Sequence, residues 1–163
     1  MSTIKDSGHR RTFNTGAVRD MQEGKGRCDL MPLKQVADIL EPMDKLIANC
    51  LNNMALAQIC LRNKKPEQAK KALRQSLYLF AAYEKVSMAQ LMLEVSKHYE
   101  QGAKKYGAYN WQKGIPYYSY IDSAVRHLFK HLDGMTDEPH DRAFTWNVLG
   151  LLWEIDRQKR GNT

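Results

Sequence analysis

The stretch DKLIANCLNNMALAQICLRNKKPEQAKKALRQSLYLFAAY, residues 44–83, decides the fold class. Its first half sets Leu46, Ile47, Leu51, Met54, Ala55 and Ile59 at helical spacing, and its second half does the same with Ala69, Leu73, Leu77 and Phe80. Residues 62–65 form a polar turn between them. Pro66 can open the second helix, because the N–H it lacks has no partner in a first turn anyway. The result is one helical hairpin. No second copy follows, which excludes a solenoid.

Outward from the hairpin the helical pattern continues. Upstream, Leu33, Val36, Ala37 and Leu40 mark a short helix that Pro42 ends. Downstream, residues 86–106 carry Met92, Val95, Tyr99, Ala103 and Tyr106 on one stripe, and residues 119–132 carry Ile121, Val125, Leu128 and Leu132. A loop rich in Asn, Gly, Pro and aromatics, residues 107–118, separates these two. The last helix, residues 139–157, is apolar nearly all round through Trp146, Leu149, Leu151, Leu152 and Trp153. Such a helix is central or buried between subunits, so a homodimer or higher even oligomer is expected. No segment alternates as a strand. The expected fold is all-α, an antiparallel helical bundle. Residues 1–12 read as a flexible terminus, and residues 13–163 as one helical domain. Within it, residues 13–32 read as a glycine-rich basic loop and residues 44–93 as a helical insertion.

The chain has 163 residues, enough for a real core, with 43% hydrophobic and 26% charged residues. No apolar run spans a membrane and the polar start lacks a secretory h-region, so a cytoplasmic location is expected. Cys28, Cys50 and Cys60 form no CxxC, and buried free thiols are the expected state. The formal net charge of +7 suits an anionic partner such as a nucleotide, nucleic acid or acidic protein. The basic residues are scattered over helical segments rather than gathered in one arm, so nucleic acid is not the first expectation.

Several residues could carry chemistry. Gly16, Gly24 and Gly26 alternate with Arg19, Asp20, Lys25, Arg27 and Asp29, a composition that can wrap a phosphate or form a plain surface loop. Asp122 and Arg126 are four apart, as are His127 and His131. His140 and Asn147 share a face of the last helix, with Asp137 and Asp141 beside His140, and Glu100 lies four before Lys104. Inward carboxylates and histidines on several helices can hold a divalent metal, although a His pair at this spacing is more often on the surface or capping and an Asp–Arg pair more often a plain salt bridge. There is no P-loop, no HExxH and no GxSxG.

The runs GAVRDMQEGKGRCDLMP (16–32), YEQGAKKYGAYNWQKGIPYYSYIDSAVRHLFKHLDG (99–134) and DEPHDRAFTWNVLGLL (137–152) resemble the phage dATP/dGTP diphosphohydrolase family. That family includes MazZ-like enzymes and is similar to the MazG-like all-α NTP pyrophosphatases. The resemblance implies a MazG-like bundle with an extra hairpin. It also implies hydrolysis of a purine deoxynucleoside triphosphate, dGTP or dATP, to monophosphate and pyrophosphate in phage nucleotide metabolism. Mg²⁺ or Mn²⁺ would be held by acidic side chains and would activate water. The EExxE and ExxD helix motifs of typical MazG proteins are not readable here. The implied metal ligands are therefore Glu100, Asp122 and Asp137, with nearby histidines, and the implied catalytic residues Glu100, Asp122 and His127. The implied substrate contacts are Arg19, Lys25, Arg27, Lys104, Lys105, Tyr106, Asn110, Trp111, Lys113, Arg126, His140 and Asn147. Two other readings stand beside this one. The chain could be a catalytically inactive nucleotide- or protein-binding descendant of the fold, or a basic helical protein that binds nucleic acid.

Overall fold

A computed structural model describes residues 4, 6 and 8–161. The reading of a flexible terminus at residues 1–3, 5 and 7 lies outside the described residues. Six helices dominate: α1 (Leu33–Leu40), α2 (Lys45–Arg62), α3 (Pro66–Glu84), α4 (Met88–Tyr106), α5 (Tyr117–Leu132) and α6 (His140–Gly161). No helix among the described residues is long and apolar enough to cross a membrane. The fold class is all-α, as the periodicity indicates.

One element departs from the sequence reading. Strands β1 (Arg10–Thr12) and β2 (Val18–Asp20) pair antiparallel, with Arg11 opposite Arg19. Gly16 turns the chain between them at φ +86°, and the Phe13 N–H donates to the Ala17 carbonyl at 2.9 Å. Residues 10–12 are therefore ordered strand, not the end of a flexible terminus. The basic loop begins as a β-hairpin.

The chain forms two compact units, Met1–Cys28 with Leu93–Thr163, and Asp29–Met92. The second unit holds α1, α2 and α3. It begins earlier than the residues 44–93 set apart by the sequence, at Asp29, because α1 packs on α2, and it ends at Met92. Asp44 caps α2 by accepting from the Ile47 N–H at 3.1 Å, and Pro66 opens α3. Between them Leu51, Met54, Leu73 and Phe80 are completely buried. All three cysteines are free thiols. Cys50 and Cys60 are buried and Cys28 is half-buried.

In the first unit α5 packs along α6. The N-terminal half of α5 is buried on every side, from Ser119 through Val125. α6 contributes Phe144, Val148, Leu151 and Ile155 to the same core. Its Leu149, Leu152 and Trp153 are half-buried, so none of its apolar positions is fully exposed. Gly150 allows the close approach. A Cβ there would lie 2.4 Å from Cε1 of the fully buried Tyr120 ring.

Gly150→Ala should therefore destabilise the protein. Helix propensity alone would favour alanine by about 1 kcal/mol. Overpacking against a ring with nowhere to move costs about 1–3 kcal/mol and outweighs it. Urea unfolding should show a lower midpoint at unchanged slope, and an unchanged or higher midpoint would contradict this packing.

Candidate functional site

The first unit encloses a cavity of about 380 Å³, within the size range of small-molecule sites, roughly 300–1,000 Å³. One wall is the β-hairpin and the loop after it, and most of the rest comes from α4, α5 and α6, with Ile4, Asn110 and Glu138 beside them. The lining carries five cationic side chains, Arg11, Arg19, Lys25, Arg126 and Lys130, against two carboxylates, Asp20 and Glu138. The site is built to receive negative charge.

Arg19 is one of these cations. Its Nη2 donates to Asn147 Oδ1 at 2.9 Å, and its Nη1 lies 3.4 Å from the Ser119 carbonyl and hydroxyl oxygens. The guanidinium carbon lies 5.6 Å from the Tyr120 ring centroid and 5.5 Å from that of Trp146. No carboxylate pairs with it among the described residues. Burial makes it less basic than an ordinary arginine. Beside it, Arg11 donates to Gln22 Oε1 and to Ser119 Oγ, each at 2.7 Å, and burial lowers its basicity too.

The hairpin is held against the helices by fixed pairs. Asn110 donates from Nδ2 to the Val18 carbonyl at 2.8 Å and accepts the Val18 N–H at 2.9 Å. Asp20 accepts from Lys105 Nζ at 2.8 Å and from the Tyr106 hydroxyl at 2.9 Å, and lies 3.2 Å from Arg10. Burial, followed by the Asp20 charge, raises the Tyr106 phenol above its usual range.

Asp122, expected as a metal ligand, is fully buried and saturated by protein donors. It accepts from the Cys28 N–H at 2.7 Å, from Gln22 Nε2 at 2.5 Å and from Arg126. Arg126 also donates to the carbonyls of Lys25 and Gly26, at 3.2 and 3.1 Å. The pair closes the glycine-rich loop onto α5, so Asp122 positions this wall. Glu100 is exposed and does not border the cavity.

A different cluster forms nearby. His140 is buried, its Nε2 2.8 Å from Asp137 Oδ1 and its Nδ1 2.9 Å from His127 Nδ1. Glu138 Oε1 is 3.5 Å from His127 Nδ1 and 3.7 Å from His140 Nδ1. Among the described residues, this trio is the group whose donor atoms could hold a metal. It contains none of the three expected ligands Glu100, Asp122 and Asp137, which the structure does not bring together. Mg²⁺ prefers an all-oxygen octahedral shell, so the nitrogen-rich trio suits it poorly. Burial, with His140 and His98 next, pushes the basicity of His127 well down.

Of the expected substrate contacts, Arg19, Lys25, Tyr106, Asn110, Arg126 and Asn147 meet at the cavity, and His127, expected as a catalytic residue, lines it with them. Lys105 sits behind Asp20, and His140 behind His127. Lys104, Lys113 and Arg27 are exposed and away from the lining, with Arg27 over the Tyr118 ring. Trp111 stacks edge-on against Trp153 with centroids 5.0 Å apart and belongs to the aromatic core. Sequence reasoning missed Arg11, Gln22, His98, Lys130, Glu138 and Trp146. His98 had a signal, since it falls three residues after Val95 on the apolar stripe of α4. It is 9% exposed, its Nδ1 has no hydrogen-bond partner among the described residues, and burial pushes its pKa down to about 4.

A family profile described as dATP/dGTP diphosphohydrolase, N-terminal, matches residues 62–163. The chain belongs to this family. The match covers α3 to α6, and with them the helical walls of the cavity and the His127–Glu138–His140 cluster. The β-hairpin and the loop that carries Arg19 and Lys25 precede the matched segment. No curated protein and no solved structure matches the chain.

Two outcomes follow. Asp122→Asn leaves Arg126 and Gln22 without their acceptor, and breaking a buried pair costs about 3–5 kcal/mol. Glu100→Gln, at an exposed position, should change stability by less than about 0.5 kcal/mol. Chemical unfolding of both variants checks the contrast. His98 is neutral in the fold and titrates ordinarily when unfolded, so its contribution is complete above about pH 6.5. It is lost as pH falls towards about 4, a total of about 3 kcal/mol. In metal-free buffer, His98→Gln should flatten the stability–pH curve between these limits, and an unchanged slope would contradict this assignment.

Proposed function

We propose that this protein is a pyrophosphate-releasing hydrolase that takes a purine deoxynucleoside triphosphate, dGTP or dATP, in the cationic cavity of its first unit. The observation that carries the reading is Arg19: a half-buried guanidinium, framed by two aromatic rings and an amide, with no carboxylate among the described residues to neutralise it. A desolvated cation of this kind is costly unless an anion completes it. Phosphate oxygens would do so, since guanidinium donors match their geometry. Family membership supports the nucleotide.

In this reading Arg19, Arg11 and Lys25 hold the phosphates and favour the charge that builds on the departing pyrophosphate. Trp146 offers an apolar face to the base, and Asn147 fixes Arg19 in place. His127 and Glu138 supply the polar edge at which water could lose a proton before attacking the α-phosphorus. A divalent cation, Mg²⁺ or Mn²⁺ in the family resemblance, would screen the triphosphate when bound. Asp122 and Arg126 act indirectly, by holding the loop shut.

A second reading has its own observation. The expected acidic metal set is not assembled, which favours a protein that binds a nucleotide without turning it over. One assay separates the two: the purified protein with a panel of dNTPs and NTPs and either metal, with the products resolved by chromatography. Monophosphate with pyrophosphate is expected, and no accumulating diphosphate. Orthophosphate as the main product would sink the proposal, and binding without turnover would support the second reading.

Arg19→Met supplies a sharper test. Removing one preorganised donor should lower kcat/KM by about 10²–10³-fold. The same change removes a half-buried charge that has no carboxylate partner among the described residues, so thermal stability without ligand should hold or rise. Full activity in Arg19→Met would show that the anion sits elsewhere.

A further inference from the structure

We infer that His127, Glu138 and His140 form a binding site for one divalent transition-metal ion at the wall of the cavity, with Asp137 orienting His140. Three lines of geometry support it. First, the donor atoms already form a compact triangle, with Nδ1–Nδ1 2.9 Å and Nδ1–Oε1 3.5 and 3.7 Å. Ligand atoms around an ion bound at about 2.1 Å are about 3.0 Å apart in an octahedral shell and about 3.4 Å apart in a tetrahedral one. Only sub-ångström shifts separate the observed triangle from either.

Second, the tautomer is set for binding. Asp137 can only accept, so the His140 proton sits on Nε2, 2.8 Å from Asp137 Oδ1. That leaves the Nδ1 lone pair facing His127 and Glu138. A carboxylate behind a metal-binding imidazole is the usual way such a ring is fixed and made a better donor.

Third, the surroundings point to a ligand. His127 and Glu138 line the same cavity as His98, whose buried Nδ1 has no hydrogen-bond partner among the described residues. A three-donor set leaves coordination positions for water or an oxygen anion from the cavity.

Two imidazoles and one carboxylate favour Mn²⁺, Fe²⁺, Co²⁺ or Zn²⁺ over Mg²⁺. The inference concerns these residues alone and holds whether the cavity hydrolyses a nucleotide or only binds one. The competing account is a histidine pair joined by an ordinary hydrogen bond, with no ion.

Cobalt titration of chelator-treated full-length protein decides between them. The wild type should take up one Co²⁺ per chain, with visible d–d bands that mark nitrogen and oxygen ligation. Calorimetry should give Mn²⁺ and Zn²⁺ tighter binding than Mg²⁺. Glu138→Gln and His140→Ala should abolish the bands, and Asp137→Asn should weaken Co²⁺ affinity by about 10–100-fold. Because His140 is buried and its variant can lose the fold, Glu138→Gln is the deciding variant, checked by circular dichroism. No stoichiometric Co²⁺ uptake by the wild type would overturn the inference. So would unchanged bands in folded Glu138→Gln, or Mg²⁺ binding as tightly as Mn²⁺.

Discussion

A carboxylate with no access to water must be given its hydrogen bonds by the protein, and Asp122 imposes that demand on the first unit. Its three donors come from Gln22, from the Cys28 backbone and from Arg126, so its charge is tolerable only when residues 22–28 lie against α5. The loop is rich in glycine and has little apolar surface to hold it down. Electrostatics therefore does what packing does elsewhere in the molecule. Once the loop is docked, the β-hairpin before it must run past α4, α5 and α6, and Arg19 enters the space between them. Satisfying this one buried charge closes the loop side of the cavity, while Asn110 and Asp20 hold the hairpin side.

The positive character of that cavity is not a surplus of surface lysines. Most of the chain's basic residues are solvated or paired on helix faces, as the scattered sequence pattern indicates. Arg11 and Arg19 in the cavity differ in being desolvated, with aromatic rings and neutral amides in place of carboxylates around Arg19. Stability and ligand binding pull in opposite directions here, since the arrangement that suits an incoming anion is the one that leaves a guanidinium uncompensated in its absence.

The helices were legible because burial leaves a 3.6-residue imprint, and residues 44–83 show it without help from elsewhere. The hairpin was not. Its strands are three residues long, with sequences Arg-Arg-Thr and Val-Arg-Asp, and they bury almost no alternating apolar face. The Asp122–Arg126 pair could be read from its spacing, but spacing does not reveal that the carboxylate is sealed from water and fully engaged. Glu138 was passed over beside Asp137 and His140, because which neighbour turns inward at a helix start depends on backbone geometry. Arg19 and Lys25 stand out among the glycines of residues 16–29 and Asn147 on the face of His140, and the structure gives them a common place.

The Asn110 side chain bonds both the N–H and the C=O of Val18, which is what a neighbouring strand would do. A ribbon of two three-residue strands is too small to persist in water by itself. Its free edge would also invite pairing with another chain. One amide acts as the stub of a third strand, blunting the outer edge of β2 where that strand begins. A piece of β-structure in an otherwise helical body is thus tied to a helical-side residue rather than left to pair on that edge with another chain.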